Sequence, residues 1–226
     1  MLSLQHRSII WFFPLNPTTI KREVARHLLT VQAVRLRPDQ PFTWSSGWQS
    51  PIYCDNRITL SYPDVRTYIK QALADAIRQH FPSAEAIAGV ATAGIPQGAL
   101  VADVLELPYC YVRPEPKKHG MGNQIEGRLE AGTRVVVIED LISTGGSSLK
   151  VVDALRAAGA QVLGMAAIFT YGFPLATQNF ADKNVSLVCL SDYEALLTEA
   201  QSLDYISADA MTSLAAWREN PAEWGR

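Results

Sequence analysis

Residues 135–147 read VVVIEDLISTGGS and combine three kinds of chemistry in one short stretch. An apolar run ends in two adjacent carboxylates, Glu139 and Asp140, and is followed by hydroxyls and two glycines. Glycines let a backbone approach an anion closely, and the start of a following helix offers unpaired N–H groups. The carboxylates suit sugar hydroxyls, a cationic carbon or water held on Mg²⁺. A sugar phosphate satisfies both halves, whereas the alternative is a solvated turn with a helix-capping carboxylate.

Two further segments carry related signals. Residues 90–96, VATAGIP, are small and offer mainly backbone N–H groups, although a tight turn needed only for packing has the same composition. Residues 113–128, RPEPKKHGMGNQIEGR, hold two prolines, three glycines and four cationic side chains plus His119, which predicts a flexible loop that closes over an anionic leaving group. The alternative is a solvated charged hairpin. One ligand explains all three segments: 5-phosphoribosyl 1-diphosphate.

The surrounding pattern predicts the elements that would position these segments. A helix is expected from Thr18 or Thr19 to about Val34, short strands and turns over 35–60, and a helix over 63–80. Strands are then predicted at 86–90, 109–112, 134–139, 162–170 and 185–190, with helices at 95–105, 147–158 and 174–180 and two more after residues 191 and 209. Alternating apolar strands and helices indicate a parallel sheet covered on both faces, with ligands beyond the carboxyl ends of its strands.

Composition restricts the class of protein. The chain has 226 residues, 48% of them hydrophobic, which is enough for one sizeable core. A net charge of −2 argues against a general nucleic-acid or membrane binder. Three widely separated cysteines are expected to be reduced thiols in a cytoplasmic protein. Residues 1–17 contain an apolar run too short for a membrane span and without a cleavage site, so we expect an extension that is disordered or packed on the surface.

Four stretches in order resemble a known family. The stretch at 135–147 is similar to the phosphoribosyl-diphosphate signature of type I phosphoribosyltransferases. PFTWSSGWQSPIYCDNRITLSYP, GVATAGIPQGA and YVRPEPKKHGMGNQIEG resemble orotate phosphoribosyltransferases in particular. The resemblance spans roughly residues 20–220. It implies an α/β fold with a central, mainly parallel sheet flanked by helices, a small N-terminal hood (about 18–60), a core (about 61–226) and a flexible catalytic loop.

The resemblance also implies a reaction and its residues. Orotate and phosphoribosyl diphosphate would give orotidine 5′-monophosphate and diphosphate in pyrimidine synthesis. Mg²⁺ would be held mainly by substrate and water, with no direct protein ligand. The enzyme would be a homodimer that shares its 113–128 loop across the interface. Tyr53, Cys54 and Ser143 would contact orotate. Catalysis would rest on Arg113, Lys117, His119 and Asp140, and the residues that bind phosphoribosyl diphosphate would be Arg113, Lys117, His119, Glu139, Asp140, Leu141, Ile142, Ser143, Thr144, Gly145, Gly146 and Ser147.

Several family lysines are missing from this chain. Ser45, Ala93 and Pro114 stand where some members have lysine, and Tyr171 replaces an arginine that contacts orotate in them. Catalysis should therefore depend more on Arg113 and Lys117, with Lys118 and Arg57 as further candidates. His119 is either a proton donor or a hydrogen-bonding cation. The rival functions are a purine phosphoribosyltransferase and a non-catalytic regulator that senses phosphoribosyl diphosphate and binds nucleic acid.

Overall fold

The structure is a computed structural model that describes residues 16–44, 47, 49–113, 115 and 124–224. The predicted extension, apart from residues 16 and 17, lies outside these residues, as does most of the 113–128 loop. The helices are α1 Pro17–Thr30, α2 Pro63–His80, α3 Gly94–Leu105, α4 Gly146–Ala157, α5 Pro174–Asp182, α6 Tyr193–Ser202 and α7 Ala208–Glu219, with a 3-10 helix at Asn56–Ser61. The strands are β1 Val34–Leu36, β2 Phe42–Thr43, β3 Gln49–Ser50, β4 Ile52–Cys54, β5 Ala86–Val90, β6 Tyr109–Val112, β7 Ile125–Glu126, β8 Arg134–Ile142, β9 Gln161–Thr170 and β10 Leu187–Asp192.

Local chemistry sets both ends of α1. The side chain of Asn16 accepts a hydrogen bond from the Thr18 N–H at 3.0 Å, and Pro17 occupies the first helical position, where its missing N–H costs nothing. The helix therefore begins one or two residues before the predicted start. The prediction that it continues to Val34 is wrong: Gln32 has a φ of +57°, which no α-helix contains, and Val34 starts β1.

Six strands form the central sheet in the order β10-β9-β8-β5-β6-β7. All neighbouring pairs are parallel except β6 and β7, which are antiparallel. The mainly parallel sheet predicted from the alternating elements is confirmed. The chain runs outward in opposite directions from β5 and β8, so the sheet has a topological switch point between these two strands, which is where open α/β sheets bind ligands.

The sheet is covered by helices on both faces, as its apolar strands predict. Val136 and Ile138 of β8 pack into a cluster with residues of α1, α2, α3, α6 and α7. Val135 and Val137 point to the opposite face and pack with residues of α4 and α5. The carboxyl ends of β5, β6 and β8 lie at one edge, so the three segments singled out in the sequence leave the sheet on the same side.

The region between α1 and α2 is built from two short antiparallel pairs. Strand β1 pairs with β4, and β2 pairs with β3. The 3-10 helix follows β4 directly. Its first turn is fixed by the Asp55 carboxylate, which accepts hydrogen bonds from the Arg57 N–H at 3.2 Å and from the Arg57 guanidinium at 2.7 and 2.9 Å. The division into extension, hood and core remains a prediction.

Candidate active site at the carboxyl end of the central strand

Strand β8 carries Glu139 and Asp140, the two carboxylates within residues 135–147. The prediction that this strand ends at residue 139 is wrong, because β8 continues to Ile142 while it pairs with β9 through Ile142 and Thr170. Glu139 and Asp140 are therefore held by the sheet and not by a loop. The side chain of Ile142 is fully buried in the core, and its carbonyl oxygen accepts hydrogen bonds from Thr170 Oγ1 at 3.1 Å and the Tyr171 N–H at 3.2 Å.

The Glu139 carboxylate is buried but has no cationic partner among the described residues that contact it. Its Oε1 accepts the Asp140 N–H at 3.0 Å, and its Oε2 accepts the Ser148 hydroxyl at 2.8 Å. Burial and the neighbouring Asp140 charge raise the pKa of Glu139 well above its ordinary value. Burial also raises the pKa of Asp140, against the opposing effects of its hydrogen bonds and the Arg57 charge. Both carboxyl groups therefore ionise less readily than exposed ones, and a cation placed beside them would favour their ionised forms.

The segment 143–147 connects β8 to α4 in a shape that only glycine permits. Gly145 has a φ of +79°, and a Cβ built there would lie 2.5 Å from the Phe180 ring. The Asn179 side-chain amide holds the segment from outside by donating to the Thr144 carbonyl oxygen at 2.9 Å. Gly146 and Ser147 are exposed. No side-chain hydrogen bond of the described residues caps α4, so the N–H groups of its first turn are left for a ligand, and a phosphate suits them.

The second segment, between β5 and α3, has a clear packing role. A Cβ at Gly94 would lie 2.5 Å from the Ile138 carbonyl oxygen, and a Cβ at Gly89 would lie 2.5 Å from the Tyr109 hydroxyl. That hydroxyl donates to the Ile95 carbonyl oxygen at 2.7 Å. Small residues are thus required for α3 to approach β5 and β8. The predicted anion contact at 90–96 stays a prediction beside this structural requirement.

Arg113 stands at the base of the third segment. Its N–H donates to the Gln124 carbonyl oxygen at 3.0 Å, and the Gln124 side-chain amide donates back to the Arg113 carbonyl oxygen at 3.2 Å. The guanidinium Nε lies 3.4 Å from Glu126 Oε1. The unpredicted strand β7 closes this base against β6. Lys117, Lys118 and His119 lie outside the described residues, so their predicted roles stay predictions.

Tyr53 and Cys54 lie on β4, and Cys54 is linked to the Asp140 backbone through the Asn56 side chain. The guanidinium of Arg35 stacks 5.0 Å from the Tyr53 ring centroid and 5.6 Å from that of Phe42. Burial raises the pKa of the Cys54 thiol well above its ordinary value, so this thiol is protonated. The negative charges of Asp140 and Asp55 nearby act in the same direction on this thiol.

Tyr171 stands where the resemblance implies an arginine. It is buried in an aromatic cluster, with ring centroids 5.4–5.7 Å from those of Trp44, Phe169, Phe173 and Trp217. A phenol in this cluster cannot replace the charge of a guanidinium. It instead packs between Trp44, which follows β2, and Trp217 of the C-terminal helix α7.

Two buried side chains next to this site were missed by the sequence reasoning. Ser148 binds Glu139, and the side-chain amide of Asn56 donates to the Asp140 carbonyl oxygen at 2.6 Å. Ser148 directly follows residues 135–147, and Asn56 lies within the sequence YCDNRITL. Neither a serine nor an asparagine by itself predicts a contact with the strand that carries Glu139 and Asp140.

A phosphoribosyl transferase domain model matches residues 56–194, which contain the carboxylates, the segment 143–147 and the whole central sheet. An orotate phosphoribosyltransferase from Cytophaga hutchinsonii is 56% identical over 203 residues, which is 90% of this chain and 97% of the relative. One from Bacillus pumilus is 58% identical over 203 residues, 90% of this chain and 96% of the relative. This chain belongs to the orotate phosphoribosyltransferase family.

The solved structures agree with this family. An orotate phosphoribosyltransferase from Aeropyrum pernix superposes with a TM-score of 0.70 at 33% identity, covering 81% of this chain and 99% of that one. The α/β fold expected of type I phosphoribosyltransferases is confirmed. Within the described part of the chain, no helix has both the length and the apolar character that a membrane crossing requires.

Proposed function

We propose that this chain transfers the 5-phosphoribosyl group from phosphoribosyl diphosphate to orotate. The products would be orotidine 5′-monophosphate and diphosphate. The proposal rests on the buried Glu139–Asp140 pair near the end of β8, which is followed after a short segment by the uncapped N-terminus of α4. The carboxylates suit the ribose of a ribose 5-phosphate, and the helix N-terminus suits its phosphate. Family membership gives orotate as the second substrate.

The reaction breaks the anomeric C–O bond, so positive charge grows on the ribosyl carbon while negative charge collects on diphosphate. Groups aimed at these charges accelerate the step, whereas uniform binding of the substrates does not. Glu139 and Asp140 are assigned to the ribose and its cationic carbon, and residues 143–147 to the 5′-phosphate. Arg113, Lys117 and His119 are assigned to the departing diphosphate. Orotate is already an anion whose N1 attacks, so the mechanism requires no strong general base.

Mg²⁺ is proposed as the cofactor. The described residues contain no cluster of three or more His, Cys, Asp or Glu with the spacing of a metal site. Both Glu139 oxygens already accept hydrogen bonds. The residues present therefore fit an ion that would be held mainly by substrate oxygens and water. When bound, Mg²⁺ would neutralise part of the diphosphate charge.

The activity is tested by following orotate consumption through its absorbance. We expect loss of orotate only when phosphoribosyl diphosphate and Mg²⁺ are both present, and we expect chelation by EDTA to stop it. Uracil, adenine and hypoxanthine should not replace orotate. Absence of turnover in the complete mixture contradicts the proposal, and faster use of adenine or hypoxanthine identifies a purine enzyme instead.

A cytoplasmic homodimer that shares its 113–128 loop is also proposed. Lys117→Ala should lower kcat by about 10²-fold or more, the scale of one lost transition-state charge contact. If the loop acts on the partner's site, mixing Lys117→Ala chains with Asp140→Asn chains should restore activity through heterodimers with one intact site. Each variant alone is the control. No recovery after demonstrated subunit exchange contradicts loop sharing.

A further inference from the structure

Asn56 lies between the strand that carries Tyr53 and Cys54 and the strand that carries the two carboxylates. Its side-chain Nδ2 donates to the Asp140 carbonyl oxygen at 2.6 Å, across a sequence separation of 84 residues. Its Oδ1 lies 3.4 Å from Cys54 Sγ. The residue is fully buried. One side chain therefore touches both predicted substrate sides of the active site.

The orientation of the Asn56 amide is fixed by its two partners. A carbonyl oxygen can only accept, so the NH₂ group must face Asp140. The oxygen then faces Cys54, whose thiol is protonated and donates the second hydrogen bond. Because the amide has no alternative arrangement with both partners in place, it holds β4 and β8 at a defined separation.

A buried polar chain holds Asn56 itself in place. The Thr59 hydroxyl donates to the Asn56 carbonyl oxygen at 2.6 Å, and the Gln97 side-chain amide donates to the Thr59 oxygen at 3.3 Å. Thr59 is fully buried and Gln97 is 1% exposed. Gln97 belongs to the first part of α3, which packs against β8. The 3-10 helix is thus hydrogen-bonded to β8 through Asn56 and to α3 through Thr59.

We propose that Asn56 is a positioning residue that sets the distance between the pyrimidine side and the ribose side of the active site. The inference rests on the proposed function. Each substrate keeps its own direct contacts when Asn56 is changed, but the attacking nitrogen and the ribosyl carbon lose their alignment. A misplacement of about 1 Å lowers rates by about 10²-fold even when binding persists.

The test is Asn56→Ala, measured as separate kcat and KM values together with equilibrium binding of each substrate. We expect kcat to fall by about 30–100-fold while KM and Kd for each substrate change by less than about threefold. Asn56→Asp should lose at least as much, because a second oxygen would then face the Asp140 carbonyl. A purely structural role would lower the melting temperature and the active fraction without this split.

Ser191→Ala is the matched control. Ser191 is fully buried on β10, and its hydroxyl donates to the Lys21 carbonyl oxygen at 2.8 Å, so this change also removes one buried hydrogen bond to a carbonyl. Its kcat should equal that of the wild type. If Asn56→Ala does not fold, Thr59→Val tests the same chain with a weaker expected loss of about tenfold in kcat.

The outcomes separate the inference from the proposed function. A folded Asn56→Ala protein with kcat within about threefold of the wild type contradicts the inference. Loss of substrate affinity in proportion to the loss of kcat/KM also contradicts it, since Asn56 would then act in binding alone. A wild-type protein that does not turn over orotate contradicts the proposed function instead.

Discussion

Glu139 and Glu199 are two buried glutamates that the fold treats in opposite ways. Glu199 on α6 is fully buried, and it accepts hydrogen bonds from Arg22 at 3.0 Å and Arg26 at 2.7 Å on α1. Glu139 is 6% exposed, and within the described part of the chain its carboxylate accepts one hydroxyl and one backbone N–H, with the Asp140 carboxylate beside it. The first carboxylate is neutralised by the protein, and the second is not.

The pKa values of the two side chains move in opposite directions. Burial raises the pKa of Glu199, but the hydrogen bonds and charges of Arg26 and Arg22 outweigh it, and the net shift is downward. Burial and the Asp140 charge together raise the pKa of Glu139. A stabilising ion pair and a functional site thus differ in whether the charge is compensated within the protein. In the proposed mechanism the positive charge that develops on ribose is the partner that Glu139 lacks within the described part of the protein.

The difference between Glu139 and Glu199 is tested by Glu139→Gln, the substitution for which we expect the greatest change in activity. Glu139→Gln keeps the shape, and its amide can accept from the Asp140 N–H and donate to the Ser148 hydroxyl, but it cannot ionise. We expect kcat to fall by about 10²-fold, while the free energy of unfolding at pH 7 increases, because the unfolded chain no longer gains from ionising a carboxyl group whose ionisation is disfavoured in the fold. Steady-state kinetics and urea unfolding measure the two quantities. Unchanged kcat, or a free energy of unfolding below that of the wild type, would contradict the proposed difference between Glu139 and Glu199.

The same substitution at the other glutamate should have the opposite result. Glu199→Gln weakens the contacts with Arg22 and Arg26, and we expect a loss of about 1–2 kcal/mol in the free energy of unfolding. The loss stays below that of a fully buried pair because both arginine side chains are 45% exposed. The kcat value per folded molecule should not change. A large drop in kcat would show that α1 and α6 contribute to the site.

Ser148→Ala tests the hydrogen bond on Glu139. It removes the hydroxyl that binds Glu139 Oε2 and leaves the carboxylate still less compensated. We expect kcat to fall by about fivefold, on the scale of one hydrogen bond. Ser202→Ala is the matched control, because Ser202 donates to the Glu199 backbone carbonyl oxygen at 2.9 Å. Equal effects of the two serine changes would contradict a special role for the hydroxyl at 148.

The smallest expected effect is a difference in how stability depends on pH. A lowered folded-state pKa means that Glu199 stabilises the fold above its unfolded pKa, near 4.5, and that this contribution is lost as pH falls. A raised folded-state pKa means that Glu139 destabilises the fold increasingly as pH rises above 4.5. The free energy of unfolding of Glu199→Gln should approach that of the wild type at acid pH, and that of Glu139→Gln should exceed it most at neutral pH. Parallel pH profiles for all three proteins would contradict both assignments.

The surroundings of Glu139 and of Glu199 also differ in how far the sequence predicts them. Residues 135–148 contain the strand, both carboxylates, the glycines and the helix start in one local stretch, so the pattern predicts their proximity. The three extra strand residues were missed because β8 extends by pairing with β9, which is not visible in the stretch itself. The pairs of Glu199 with α1 and of Asn56 with Asp140 join residues 173–177 and 84 positions apart, and no local pattern predicts them.

Tyr171 shows a second limit of prediction from sequence. The sequence shows that an arginine is absent from this position, but it does not show that Trp44 and Trp217, from opposite ends of the chain, enclose the replacement. Lys117 and His119 illustrate the reverse case. Their roles are carried by the resemblance alone and remain predictions.

Phosphoribosyl transfer to orotate is tested most directly by a competition experiment. The purified protein would be given phosphoribosyl diphosphate, Mg²⁺ and equal amounts of orotate, uracil, adenine and hypoxanthine, and the nucleotides formed would be separated by chromatography. We expect orotidine 5′-monophosphate as the product and none from Asp140→Asn above background. A purine nucleotide as the main product, or equal product from Asp140→Asn, would contradict the account.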